Sequence, residues 1–312
     1  METVRIGTRG SRLALIQAEM ACRALEEAHT GIRTKLVVLH TKGDRILDKP
    51  LAEIGDKGLF VSEFEQAILD GRIDLAVHSA KDLPMQTAEG LTIGAVLKRA
   101  DVRDVLAVKK EDGLPGAGKE FVLGTGSQRR GLLAQQRWEG IRLKQIRGNV
   151  ESRLKKLAEG EYDGILLAKA GLDRLGIDAL SHPEFSFYPL EPEAFLPAAC
   201  QGIIALEAAG GSETAELLAA VSDRETELVF QVEREVLSLL QADCSEPAAA
   251  WCRREGSALL LDVMYGGVRA SGTCFLPKRT GEGEADGENP AVLREALAMA
   301  AKTVDILKGA GK

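Results

Sequence analysis

Alternation of strand-like and helical runs, present from the first residues, is the feature that most restricts what this chain can fold into. Residues 4–7 read as a strand, 11–28 as a helix, 35–40 as a strand, 60–70 as a helix and 75–78 as a strand. A strand, a crossover helix and a second strand bury both partners only as parallel neighbours covered by helices, so the order predicts an α/β fold with mixed, mainly parallel sheets. The pattern resumes with strands over 105–108 and 121–124, a helix over 127–138, a strand over 143–147, a helix over 151–159, a strand over 164–168 and a short helix near Leu172. No internal repeat of fixed period accompanies it.

Four of the ten prolines (Pro183, Pro189, Pro192, Pro197) crowd into fifteen residues, which forbids a regular helix or a central strand and marks a connection. Beyond it come a strand over 203–207 and a long helix over 222–240 with Leu228, Val232 and Leu239 at helical spacing. Residues 258–264 and 268–275, joined at Gly266-Gly267, read as a β-hairpin. A last helix spans 290–307, so the C-terminal part predicts a small α+β domain. The polar stretches 41–58 and 280–289 read as loops, the first as a lid or as plain disorder.

At 312 residues the chain is long enough for two domains, with room for a third. Forty Lys and Arg against forty-seven Asp and Glu leave a net charge of −7, which argues against general binding to nucleic acid or an anionic membrane. No apolar run is long enough to span a bilayer, and METVRIGTRG has no signal-like apolar core, which reads as a cytoplasmic protein. Five cysteines without a C-x-x-C pair argue against a disulfide framework and a zinc site, leaving a free thiol open to chemistry. The four histidines are scattered without metal-ligand spacing, so no catalytic metal is expected, and His78 reads as a satisfied strand-end histidine. Charge is uneven: residues 127–156 hold nine basic side chains and two acids, giving this window +7 and the rest of the chain −14. Such an island suits a focused anion site.

The basic motifs fall at strand ends, where ligands collect in open α/β sheets. Thr8-Arg9-Gly10-Ser11 follows the first strand and opens a helix, with Ser11 placed to cap it. Gly124-Thr125-Gly126-Ser127-Gln128-Arg129-Arg130 repeats the arrangement with two hydroxyls and paired guanidinium forks, a cradle for carboxylate or phosphate. Arg147-Gly148-Asn149 and Arg153 follow another strand. One arginine alone is a surface charge by default; several at strand ends in two lobes favour a site, and Arg rather than Lys fits planar carboxylates. Asp82, in His78-Ser79-Ala80-Lys81-Asp82, is by spacing alone a turn acid; in a cationic cleft it would stay ionised and could stabilise developing positive charge. Cys244 lies in a loop after the long helix.

These motifs, together with Lys57-Gly58-Leu59-Phe60 and Gln201-Gly202, resemble the porphobilinogen deaminase (hydroxymethylbilane synthase) family of tetrapyrrole biosynthesis over nearly the whole chain. The resemblance implies two periplasmic-binding-protein-like lobes plus a small C-terminal domain, with domain 1 at 1–98 and 199–219, domain 2 at 99–198 and domain 3 at 220–312. It implies a monomeric transferase that joins four porphobilinogen molecules head to tail, releasing ammonia, on a dipyrromethane primer bound through a thioether to Cys244. Asp82 would then stabilise the cationic azafulvene and the protonated pyrrole. Ser11, Lys81, Thr125, Ser127, Arg129 and Arg130 would hold cofactor carboxylates, while Arg9, Arg147 and Arg153 would hold those of the incoming substrate. Lys57 and Phe60 match the family's mobile loop.

Some positions depart from the family pattern: Ala242-Asp243 stand where Gly-Gly is usual, Cys200 where Gly precedes Gln201, Gly126 for Ser, and Ala80 for a bulkier apolar residue. A carboxylate at Asp243 raises the neighbouring thiol's pKa and slows thiolate attack, yet loading is needed once per molecule. Two other readings compete. A non-catalytic two-lobed receptor for small anions leaves Cys244 idle, and a nucleic-acid binder using the basic island lacks aromatic residues for base stacking, Trp138 excepted.

Overall fold

The structure, a computed structural model, describes residues 3–39, 62–116, 120–243, 246–276 and 290–310. The two lobes that the resemblance implies are built on five-stranded sheets of identical plan. In lobe 1 the order is β2 (Arg33–Val38), β1 (Thr3–Thr8), β3 (Leu75–Ser79), β10 (Ile204–Ala209), β4 (Leu91–Leu97). In lobe 2 it is β7 (Ile141–Lys144), β6 (Phe121–Gly124), β8 (Gly164–Ala168), β5 (Asp104–Lys109), β9 (Phe185–Leu190). In each sheet the fourth strand alone runs against the others, pairing antiparallel on both sides. That strand is the one the chain reaches on crossing between lobes, so the fold repeats without a sequence period.

Helix α1 (Arg12–Ala28) buries Ala18, Ala21 and Leu25 on the lobe 1 sheet, and α2 (Ser62–Leu69) covers the other face with Phe64 and Ile68. In lobe 2, α3 (Gln128–Arg137), α4 (Val150–Ala158) and α5 (Lys169–Leu175) play the same part. Leu13 and Ile16 of α1 pack into the lobe 2 core, so the lobes touch along α1 and α5. After a short α6 (Glu213–Ala219), the long α7 (Arg224–Leu240) and α8 (Pro290–Ala310) cover an antiparallel sheet of β11 (Ala248–Glu255), β12 (Ala258–Tyr265) and β13 (Val268–Phe275). This third unit shares apolar core with both lobes. Its helices and strands cluster with Ala80, Leu83, Val96 and Ala205 of lobe 1, while Ala249 and Met264 pack among Leu133, Phe195 and Leu196 on the lobe 2 side.

Several boundaries differ from the sequence expectations. The proline-rich connection contains β9, which the prolines tolerate because it is an edge strand and Pro189 is exposed there. Strand β7 ends at Lys144, where the Thr125 amide already bonds its carbonyl, so Arg147 sits in the loop beyond. Strands β4 and β11 and helix α6 were absent from the sequence reading. Gly94 breaks the apolar pattern of β4, and Leu218 of α6 fills the space its Cβ would occupy, at 2.8 Å, so one close approach hides both elements. At the hairpin, Gly266 and Gly267 both have positive φ (59° and 93°), as a two-residue turn of the primed type requires. The loops at 41–58 and 280–289 lie outside the described residues.

Candidate functional site: the cleft between the lobes

Loops at the carboxyl ends of the parallel strands face one another across the lobes. Strand β1 delivers Arg9, half-buried, and then Ser11, whose hydroxyl accepts the Ala14 amide at 3.3 Å as the cap of α1. Strand β3 runs into a 3-10 turn, Ala80–Asp82, leaving Lys81 half-buried and Asp82 exposed. Lobe 2 mirrors this. Strand β6 leads to Thr125, whose hydroxyl accepts the Ser127 amide at 3.1 Å, and Ser127 caps α3 by accepting the Arg130 amide at 3.4 Å. All three hydroxyls act as acceptors locally, and among the described residues none of their O–H groups donates, so each can donate to a ligand.

Arg129 and Arg130 are buried on Asp104, the first residue of β5. Arg129 Nη1 donates to Asp104 Oδ2 at 2.8 Å and to the Leu196 carbonyl at 2.6 Å; Arg130 donates Nε and Nη2 to Asp104 Oδ1 at 3.0 and 2.7 Å and Nη1 to the Leu166 carbonyl at 3.0 Å. Burial alone would raise the Asp104 pKa, but the two guanidinium charges outweigh it and hold the carboxyl well below the usual range. Burial, reinforced by Arg130, pushes Lys81 down to about 8 against the pull of Asp82 and Asp104. Burial and Arg130 likewise bring Arg153 down to about 10, with Asp82 opposing and Arg147 adding repulsion. Lys81, Asp82, Arg129, Arg130, Arg147 and Arg153 therefore share one field, in which five cations face Asp82 and Asp104. Arg129 Nε is buried with no hydrogen-bond partner among the described residues. Cations repelling one another in a desolvated cleft are stabilised by anions, and guanidinium forks with hydroxyl donors suit planar carboxylates.

The residues from Val4 to Glu216 match the family model described as porphobilinogen deaminase, dipyromethane cofactor binding domain. Similar relatives are the porphobilinogen deaminases of Roseiflexus sp. (strain RS-1), 43% identical over 85% of this chain and 86% of the relative, and of Streptococcus sanguinis, 40% identical over 90% and 92%. That of Maridesulfovibrio salexigens is 38% identical over 97% of both chains. This chain belongs to the porphobilinogen deaminase family. Its cofactor is the dipyrromethane of that domain, and the residues present fit it: a surplus of buried and half-buried cations, with a guanidinium Nε and three hydroxyl donors left unpartnered among the described residues, matches a polycarboxylate.

In this porphobilinogen deaminase family member, Lys81, Asp82, Arg129, Arg130, Arg147 and Arg153 come together, Thr125 and Ser127 lead into the helix that carries the arginine pair, and Arg9 and Ser11 lie between β1 and α1. Cys244, Lys57 and Phe60 lie outside the described residues. The structure also gives roles to groups that the sequence leaves without one. Gln201, fully buried, donates Nε2 to the Val102 carbonyl at 2.7 Å and to Asp104 at 3.1 Å, while its Oε1 accepts from Lys81 at 3.3 Å. It thus ties the return crossing to the outward crossing, to the Lys81 cation of lobe 1 and to the Asp104 acid of lobe 2. Arg174, on α5, donates to the Gly202 carbonyl at 2.7 Å and keeps a buried Nε without a partner among the described residues. A sequence signal existed for Asp104: an acid opening the apolar run 105–108 must be buried, and a buried acid needs cations.

Proposed function

We propose that this cleft performs the head-to-tail condensation of four porphobilinogen molecules into hydroxymethylbilane, releasing ammonia at each step. The surplus of desolvated cations around the exposed Asp82 carries this reading. Ser11, Lys81, Thr125, Ser127, Arg129 and Arg130 hold the carboxylates of dipyrromethane; Arg9, Arg147 and Arg153 hold those of the incoming substrate. When bound, dipyrromethane supplies the primer pyrrole to which each unit is added. Asp82 faces substrate with a carboxylate, which stabilises positive charge on the pyrrole as its aminomethyl nitrogen departs and can take up the proton released on coupling. Lys81 and Arg153 both feel the Asp82 carboxylate, which places their positive charges beside it in the cleft.

The attachment thiol is Cys244. Burial raises the pKa of Cys22, Cys200, Cys252 and Cys274, which makes these four poor nucleophiles. By the family resemblance, Lys57 and Phe60 act on the substrate during turnover. The domains run 1–98 with 199–219, 99–198 and 220–312, in keeping with the return of β10 to the lobe 1 sheet. The protein works as a cytoplasmic monomer on a small molecule, without nucleic acid, in keeping with its net charge of −7.

Intact mass of the denatured protein tests the reading. Wild type should exceed the bare chain by one covalent dipyrromethane and Cys244→Ala should not; a bare-chain mass in protein that turns over porphobilinogen would refute the covalent primer. Asp82→Asn should fold, keep its cofactor and lose at least about a hundredfold in kcat, the scale of a lost acid-base or electrostatic group. Near-normal kcat would remove Asp82 from the reaction.

A further inference from the structure

Asp82 sits three residues beyond the end of β3, so its place in the cleft depends on how firmly that strand end is held. Two side-chain clamps grip it from opposite faces of the sheet. On the α1 side, Ser79 exchanges hydrogen bonds with the Gln17 amide at 3.1 and 3.2 Å. On the α2 side, His78 Nε2 meets Glu207 Oε2 of β10 at 2.9 Å, with side-chain exposures of 7% and 0%. The backbone ladder itself ends here: Ile204 pairs with Ser79, and the Ala80 amide donates to the Ile203 carbonyl at 3.0 Å.

The His78 clamp is costlier than a structural role requires. Glu207 is a fully buried carboxyl whose second oxygen, Oε1, has no hydrogen-bond partner among the described residues. Phe64 of α2 stands edge-on to the imidazole, with centroids 5.6 Å apart, leaving the ring little room to turn. The charged groups around the pair come from two elements: Glu65 on α2, and Arg234 on α7, which also donates to the Met85 carbonyl at 2.5 Å. An apolar pair of equal volume would hold a strand end with less desolvation. What the polar pair adds is a fixed direction and a single register, because a hydrogen bond of this length breaks on a small slip, whereas apolar packing tolerates one.

We infer that His78 and Glu207 are positioning residues for Asp82, locking the end of β3 so that the carboxylate meets the reacting pyrrole. This rests on the function proposed above. The pair acts on the geometry of the reacting centre and not on the arginines that bind carboxylates, so its loss falls on kcat and spares KM.

The test is steady-state kinetics on cofactor-loaded protein, with intact mass measured for every variant. Glu207→Gln and His78→Gln preserve a hydrogen-bonding group and should keep kcat within about threefold. Glu207→Leu and His78→Leu should lower kcat at least tenfold with KM within twofold, and the double Leu variant should be no slower than either single one, because both remove the same bond. If a Leu variant does not fold, His78→Asn, whose shorter side chain cannot span to Glu207, carries the same expectation. Unchanged kcat, a rise in KM alone, or additive losses would overturn the inference. Wild type that fails to turn over porphobilinogen would instead overturn the proposed function.

Discussion

Asp104 is the acid on which the cationic cleft depends, because it lets two arginines be buried side by side. Replacing it with Asn leaves both guanidinium groups uncompensated, and the expected loss is about 3–5 kcal/mol of stability, read from urea unfolding. Wild-type stability in Asp104→Asn would mean that the arginines are balanced elsewhere. Because the folded Asp104 pKa lies below its unfolded value, its contribution is fully present above about pH 4 and is lost only as pH falls further. Lys81 shifts stability in the same direction, in a higher pH window. Its folded value of about 8 lies below the ordinary 10.5, so the unfolded chain binds more protons between those values and the ligand-free cleft gains stability as pH rises through them. The same proton loss removes a cation from the site. Succinate, as a dicarboxylate probe, should therefore bind cofactor-free Cys244→Ala several-fold more weakly at pH 9 than at pH 7 by calorimetry, and adding Lys81→Gln should flatten that dependence. An equal slope in both proteins would exclude Lys81 as its source.

At the scale of elements, the two crossings between lobes lie against each other with no space to spare. Gly202 has φ of +90°, and a Cβ there would meet the Ala100 carbonyl oxygen at 2.6 Å, whereas Gly176, at +67°, has nothing within 4 Å. Gly176→Ala should thus show only left-handed strain, about 1–2 kcal/mol. Gly202→Ala adds a backbone clash and should have the lower melting temperature of the two and a reduced kcat; equal melting temperatures would show that the crossing can yield. The nearby Cys200 occupies a left-handed conformation (φ 60°) with a side chain, a backbone that glycine would adopt without that strain. The sequence made the alternating elements and the strand-end motifs legible, because hydrophobic period and local capping are written in neighbouring residues. Long-range partners were not: Gln201 was visible as a motif without a role, and the pairing of His78 with Glu207 depends on a register across 129 residues. Elements such as β4 and α6 escaped because a glycine that admits a close neighbour resembles one that breaks a strand.

For the whole molecule, the net charge of −7 and the +7 window make opposite statements about an anionic substrate. Repulsion by the net charge would make kcat/KM rise with salt, since ions screen it over a Debye length of about 10 Å at 0.1 M. Attraction focused in a cleft would make it fall. The cleft should win, because Lys81 and the arginines lie at the destination while the acids are spread elsewhere; kcat/KM for porphobilinogen should fall severalfold between about 20 and 200 mM salt, and a rise would contradict the focusing argument. The third unit bears on what happens after each addition. It shares core with lobe 1 through α7 and with lobe 2 through Ala249 and Met264, and so bridges the two lobes as a bracket joins two boards. Swinging the lobes apart would wet both seams, so every degree of opening carries a cost in apolar surface that the docked arrangement does not.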